Sequence, residues 1–164
     1  MCEDEQTLVF LKPGQTMVTS APVLVTTLLG SCVAVIMYSA RHRTGAICHA
    51  QLPTCGKNSS SDHGHVDAGK YVDRAIGLML ERLAAKGVVR QEIQAKLFGG
   101  SDMFDPRGSG RSIGKQNMEA ALRILESESI RVVGQDLGGG RGRKIIFHTD
   151  TGEVFVKRLG TSGI

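Results

Sequence analysis

Cys32 and His49 are the side chains of the first third of the chain best suited to chemistry. Cys32 follows Leu28-Leu29-Gly30-Ser31 and opens the apolar run Cys32-Val33-Ala34-Val35-Ile36-Met37, and His49 interrupts a second such run. A thiol with a pKa near 8.5 is a poor nucleophile at neutral pH until a base or ordered backbone amides favour its anion. If the two runs are neighbouring strands joined by the polar stretch 39–45, they lie about 4.8 Å apart and the imidazole can serve the sulfur. Gly30 marks a bend where backbone N–H groups around Gly30 and Ser31 are free to face a developing oxyanion. Ser31 is a second hydroxyl candidate, but on a regular strand it points away from the face of Cys32, and the thiol is the better nucleophile. Both leading residues also fit a plain role, because free cysteines and lone histidines in apolar strands are commonly core residues. The same alternation turns Cys48 away from the face of His49 and into the core.

Elements must hold these groups, and the pattern supplies them. Strands are expected over 7–11, 23–28, 32–38 and 46–52, with a turn at Lys12-Pro13-Gly14-Gln15. Residues 53–66, rich in Ser, Gly and Asn, read as a mobile surface loop beside the site, and residues 1–6 as a flexible tail. Asp67 is placed to cap a helix whose apolar positions Tyr71, Ala75, Leu78, Met79 and Leu83 recur at three- and four-residue spacing and stop before Gly87. A strand over 94–98 enters Gly99-Gly100. A second helix starts near Ile113 with Met118, Ala121, Leu122 and Leu125 facing the core, and strands over 130–134, 144–147 and 154–156 follow. Strands first, then helices interleaved with strands, predict an α+β fold: a layered sandwich of mixed β-sheets with two main helices on one outer face.

The composition narrows the function classes. At 164 residues the chain fits one domain, 1–164. No apolar stretch reaches the 18 to 20 or so residues of a membrane span, and the acidic start Met1-Cys2-Glu3-Asp4-Glu5 is unlike a secretory signal, so a cytoplasmic protein with reduced thiols is expected. The net charge of +4 comes with two Tyr, five Phe and no Trp, a poor endowment for stacking bases, so nucleic acid is not expected as a partner. Cys48, His49, Cys55, His63 and His65 are zinc-type ligands, but they lack a CxxC pair and no metal or cofactor is expected. The run Gly138-Gly139-Gly140-Arg141-Gly142-Arg143 looks like a phosphate cradle, yet a strand rather than a helix follows it, so it reads as a connection between strands. Arg107, Arg111, Arg141 and Arg143 read as solvated loop charges without a site role.

Five stretches together carry a resemblance: Leu29-Gly30-Ser31-Cys32-Val33-Ala34; Gly45-Ala46-Ile47-Cys48-His49-Ala50-Gln51-Leu52-Pro53; Lys96-Leu97-Phe98-Gly99-Gly100 with Met103-Phe104; Ile113-Gly114 before Asn117; and Asp136-Leu137-Gly138-Gly139 with Arg141-Gly142-Arg143. In this order the chain resembles the CheD family of chemoreceptor glutamine deamidases. Ser101 departs from that pattern, where a small apolar residue is more usual, as do Cys48 and Cys55 near the histidine. The resemblance implies hydrolysis of particular glutamine side chains on chemoreceptor cytoplasmic helices to glutamate and ammonia, in chemotaxis adaptation, by a protein that meets the membrane only through receptors. It implies a CheC-type response-regulator phosphatase as a partner, and, as an alternative function, a regulatory module that mainly docks that phosphatase. It further implies a fold similar to toxin-type glutamine deamidase domains, and a Cys-His-Thr triad that maps onto Cys32, His49 and Thr26. Thr26 falls six residues before the cysteine; its neighbour Thr27 would take the place on a shift of one residue.

Overall fold

The computed structural model describes residues 6–55, 68–102 and 112–160. Nine strands and two α-helices among them form three layers. One sheet has the order β1 (Thr7–Phe10), β3 (Val23–Leu29), β8 (Arg143–His148), β9 (Val154–Arg158). The other has the order β2 (Thr16–Thr19), β5 (Thr44–Ala50), β4 (Val33–Ser39), β6 (Gln94–Gly99), β7 (Arg131–Leu137). Each sheet mixes orientations: β1 runs parallel to β3, and β6 to β7, while the remaining pairs are antiparallel. The expected layered α+β sandwich is what the chain forms.

Alternation along β4 and β5 separates two cores. Val33, Val35, Met37, Ala46, Cys48 and Ala50 face α1 (Val72–Ala85) and α2 (Ile113–Ser127), whereas Ala34, Ile36 and Ile47 face Val25, Leu29, Ile145 and Phe147 of the other sheet. These strands read as nearly continuous apolar runs because both of their faces are buried. Each fully buried Val, Leu or Ile contributes about 1.5 to 3 kcal/mol, so the central strands are the rigid part on which a site can be built.

Both helices lie on one face, held by their apolar stripes. In α1 the buried positions are Val72, Ala75, Ile76, Met79 and Leu83, with Tyr71 and Leu78 half-buried; in α2 they are Gly114, Asn117, Ala120, Ala121 and Leu125, with Met118 and Leu122 half-buried. Ser112 caps α2, its side-chain oxygen accepting the Lys115 N–H at 3.1 Å. Asp67, the expected cap of the first helix, lies outside the described residues; the N-cap of α1 is Tyr71, after a short 3-10 turn at Ala68–Lys70. The expected flexible segments also fall largely outside the described residues, apart from Gln6 and residues 53–55. Cys55 is tied down there, its N–H reaching the Asp73 carboxylate at 3.2 Å.

One strand escaped the sequence reading. The four residues of β2 pair antiparallel with β5, Thr16 opposite Cys48, and form the edge of their sheet. A four-residue edge strand carries too little alternation to stand out from the turn before it.

Candidate active site

The chain changes sheets at Gly30-Ser31-Cys32. β3 ends at Leu29 in one sheet and β4 begins at Val33 in the other, so these three residues form the crossing at one end of the sandwich. Three donors pin the crossing by its carbonyls: Ser101 N–H to Gly30 (3.0 Å), Asn117 Nδ2 to Ser31 (2.9 Å), and Gly100 N–H to Cys32 (2.8 Å). A peptide plane held by its oxygen has its N–H held in the opposite direction, so the amides of Ser31 and Cys32 are fixed rather than free to turn. The Cys32 N–H lies close enough to its own sulfur to favour the thiolate.

The glycine pair at the end of β6 makes this pinning possible. Gly99 has φ +104° and a side chain there would collide with the Cys32 carbonyl oxygen; Gly114 at the start of α2 is pressed against the Ser101 carbonyl in the same way. Close backbone approach at both points requires residues without a Cβ. Asn117, fully buried, spans the gap: its second Nδ2 hydrogen goes to the Gln51 carbonyl at 3.0 Å, so one amide ties the end of β5 to the crossing.

His49 enters from β5. It pairs with Ala34 in the antiparallel ladder, and Cys32 lies two residues before Ala34. On antiparallel strands such diagonal neighbours have Cα atoms about 7 to 8 Å apart, within reach of long side chains. Its neighbours Cys48 and Ala50 face the helices, so His49 faces the other sheet, and Cys32 packs against that inter-sheet cluster too. Cysteine and histidine therefore share a face. The backbone of His49 is clamped by the turn before β2, with its N–H on the Gln15 carbonyl (3.1 Å) and its own carbonyl accepting from Gly14 N–H (2.8 Å).

A threonine holds the imidazole, but it is Thr27. Thr27 Oγ1 lies 2.7 Å from His49 Nδ1 and 2.7 Å from the Leu11 carbonyl oxygen. The hydroxyl has one proton and a carbonyl only accepts, so that proton goes to Leu11 and Thr27 must accept from Nδ1–H. The imidazole is thereby fixed as the Nδ1–H tautomer, with its Nε2 lone pair available as a base. Thr26, the expected partner, points to the opposite face of β3 and donates instead to the Ile145 carbonyl at 2.9 Å. Adjacent strand residues face opposite ways, so the two threonines cannot exchange roles without slipping the strand.

Burial sets the resting protonation. His49 is 2% exposed, and desolvation pulls its pKa down to about 4. Burial raises the Cys32 thiol by more than its own N–H lowers it. At neutral pH the pair rests as a thiol and a neutral imidazole. Cys48 is shut away on the helix side, where burial pushes its thiol up to about 12. Since it and His49 face opposite ways, they do not converge on one metal ion; His63 and His65 lie outside the described residues.

A family model described as CheD chemotactic sensory transduction matches residues 51–158. Three curated relatives are named "Probable chemoreceptor glutamine deamidase CheD", the first with the suffix 2. That of Geobacter sulfurreducens is 44% identical over 151 residues, covering 92% of this chain and 89% of the relative. That of Maridesulfovibrio salexigens is 39% identical over 155 residues, covering 92% and 91%, and that of Haloarcula marismortui 34% identical over 148 residues, covering 90% and 83%. The chain belongs to the CheD family.

Membership gives the motifs quoted above a physical meaning in this CheD-family chain. Gly99-Gly100, Gly114 and Asn117 are the devices that press on the Cys32 crossing. Two residues near the site were missed by sequence reasoning. Asn117 carried a signal, a polar residue on the apolar stripe of an amphipathic helix. Arg143, expected in a solvated loop, is 2% exposed on β8, where it donates to the carbonyls of Gly138 (2.7 Å) and Gly99 (3.3 Å). Only the sheet-to-sheet crossing between β7 and β8 brings those acceptors around it, and periodicity does not encode that.

Proposed function

We propose that this CheD-family chain is a thiol hydrolase that converts glutamine side chains on chemoreceptor cytoplasmic helices to glutamate and ammonia, with Cys32 as nucleophile, His49 as general base and acid, and Thr27 holding the imidazole. The observation that carries the reading is the Leu11–Thr27–His49 chain of hydrogen bonds, which leaves Nε2 unprotonated on the face shared with Cys32. The names of the relatives supply the substrate class.

An amide resists attack, and a covalent intermediate divides the barrier. Cys32 Sγ bonds to the glutamine Cδ as its proton passes to His49 Nε2, and the amide π electrons move onto oxygen. The N–H groups of Ser31 and Cys32, oriented by the pinned carbonyls, receive that oxyanion. Collapse breaks the C–N bond; nitrogen takes the Nε2 proton and leaves as ammonia, giving a thioester. Water then gives a proton to Nε2 and adds to the thioester carbon, and the sulfur departs and recovers that proton, leaving a carboxylic acid that loses its own proton to solvent as glutamate. Each time the imidazole is charged, its Nδ1–H bond to Thr27 becomes charge-assisted and strengthens.

The reading extends to chemotaxis adaptation in the cytoplasm and to regulation by a CheC-type phosphatase, to be sought by co-purification. Its direct test is mass spectrometry of a receptor cytoplasmic fragment incubated with wild-type protein and with Cys32→Ala. Conversion of glutamine to glutamate by the wild type and loss of it in the variant is expected. Near wild-type turnover by Cys32→Ala excludes the covalent scheme, and no turnover by either protein excludes the enzyme, leaving the docking role.

A further inference from the structure

The end of the sandwich that carries Cys32 also carries an arginine-lined cleft. The register places Val33, Gly99 and Leu137 side by side on β4, β6 and β7, and sets Leu29, Arg143 and Arg158 side by side on β3, β8 and β9. Beyond these strand ends lies a cleft of about 270 Å³ lined by Leu137, residues 138–140, Arg141, Arg143 and Arg158. Three guanidinium groups line it; the carboxylate of Asp136 beside it is shared between Arg143 and Arg158, and Asp102 joins the same turn through its backbone N–H.

Several groups there have binding capacity left over. Arg143 Nε, buried, lies 3.3 Å from Asp136 Oδ2 but makes no hydrogen bond. Arg141 is exposed and forms no hydrogen bond or ion pair among the described residues. Gly138 and Gly139 both have left-handed φ angles, +78° and +76°. Gly138 N–H and Gly139 C=O are spent on Gly99 and Asp102, whereas the N–H groups of Gly139 and Gly140 have no partner among the described residues. Successive amides in such a turn form a concave anion receptor, and no described residue lies within 4 Å of where a side chain at Gly139 would begin.

We propose that this cleft binds the carboxylate of an acidic side chain on the substrate helix, and so selects which glutamine reaches Cys32. The proposal rests on the deamidase reading. Two interstrand spacings separate the Cys32 crossing from the end of β7, roughly 10 Å. On an α-helix that is about two turns, or seven residues on one face. A glutamate or aspartate about seven residues from the target glutamine would therefore meet Arg141 and the Gly139 and Gly140 amides while the glutamine lies at the sulfur.

The experiment compares wild type, Arg141→Gln and the remote charge-matched Arg82→Gln on a receptor cytoplasmic fragment. Arg141→Gln is expected to raise KM about three- to tenfold with kcat nearly unchanged, and Arg82→Gln to leave KM alone. Neutralising the acidic residue about seven positions from the deamidated glutamine should raise KM for wild type but add nothing in Arg141→Gln; equal effects in both backgrounds overturn the proposal. A second readout does not depend on turnover: titration of the labelled full chain with glutarate should shift the Gly139 and Gly140 amide resonances, and Arg141→Gln should abolish the shift. Absent turnover sinks the deamidase reading, whereas turnover with a silent glutarate titration, or a response to inorganic phosphate alone, sinks the carboxylate subsite.

Discussion

Replacing Thr27 by valine removes one hydroxyl and keeps the shape of the side chain, which isolates the bond to His49. In the resting protein it leaves Nδ1–H and the Leu11 carbonyl without their 2.7 Å partner, at about 1 to 3 kcal/mol for each buried group left unpaired. The larger effect falls on the transition state, where the imidazole is charged and the lost bond is charge-assisted. A bond of that kind is worth about 1.5 to 3 kcal/mol, and at about 1.4 kcal/mol per tenfold kcat should fall roughly 10- to 100-fold. Thr26→Val is the matched control. It removes only the bond to Ile145, costs about 1 kcal/mol of stability, and should leave kcat within about twofold. Initial deamidation rates of a receptor fragment measure both variants, and nitrogen chemical shifts of His49 report the tautomer, which should drift away from Nδ1–H only in Thr27→Val. A Thr27→Val enzyme as fast as wild type beside a crippled Thr26→Val would refute the tautomer argument and restore the threonine first expected.

Three further outcomes follow from the same geometry. Because His49 titrates near 4 when folded and near 6.5 when unfolded, the unfolded chain binds more protons between those values; the His49 contribution to stability is complete above about pH 6.5 and declines as the pH falls toward 4, visible as a falling urea midpoint that is flattened in His49→Gln. Asn117→Leu deprives the Ser31 and Gln51 carbonyls of their shared donor and should cost about 2 to 3 kcal/mol in denaturant unfolding, with a lowered kcat because the crossing loosens. Gly99→Ala combines a left-handed φ with a collision against the Cys32 carbonyl; it should reduce kcat at least tenfold while the far-UV spectrum stays native, and full activity would show that the glycine pair does not set the position of the sulfur.

The layers, and the placing of Cys32 and His49 toward the same inter-sheet face, were legible because they rest on local pattern. β4 and β5 announce themselves as apolar β-branched runs separated by a polar connection, and two adjacent antiparallel strands bring residues near their ends together whatever the rest of the fold does. The helices were legible from their apolar spacing, although the start of α1 was not, since no side chain caps it and Tyr71 gives no capping signal. The choice between Thr26 and Thr27 was not legible for a sharper reason. The place six residues before Cys32 came from the family resemblance, and a count along the chain does not fix which threonine faces His49 when the intervening Gly30 to Cys32 belong to neither strand.

The roles of Asn117 and Arg143 were hidden by the same limit from the other side. Each is polar, and each sits where the local pattern offers no partner: Asn117 on the inner stripe of α2, and Arg143 at the start of an apolar strand. Their acceptors are backbone carbonyls of segments remote in sequence, Ser31 and Gln51 for the first and Gly99 for the second. A buried polar group is tolerated only when such acceptors are present. A polar residue on an otherwise apolar face therefore says that backbone must be turned toward it, without saying which backbone. In this chain that backbone is the set of strand ends that shapes the surroundings of Cys32. Irregular crossings expose carbonyls that regular strands would have consumed in their ladders, so the residues that break the pattern cluster where the chain leaves its sheets, and the candidate chemistry lies at that same end.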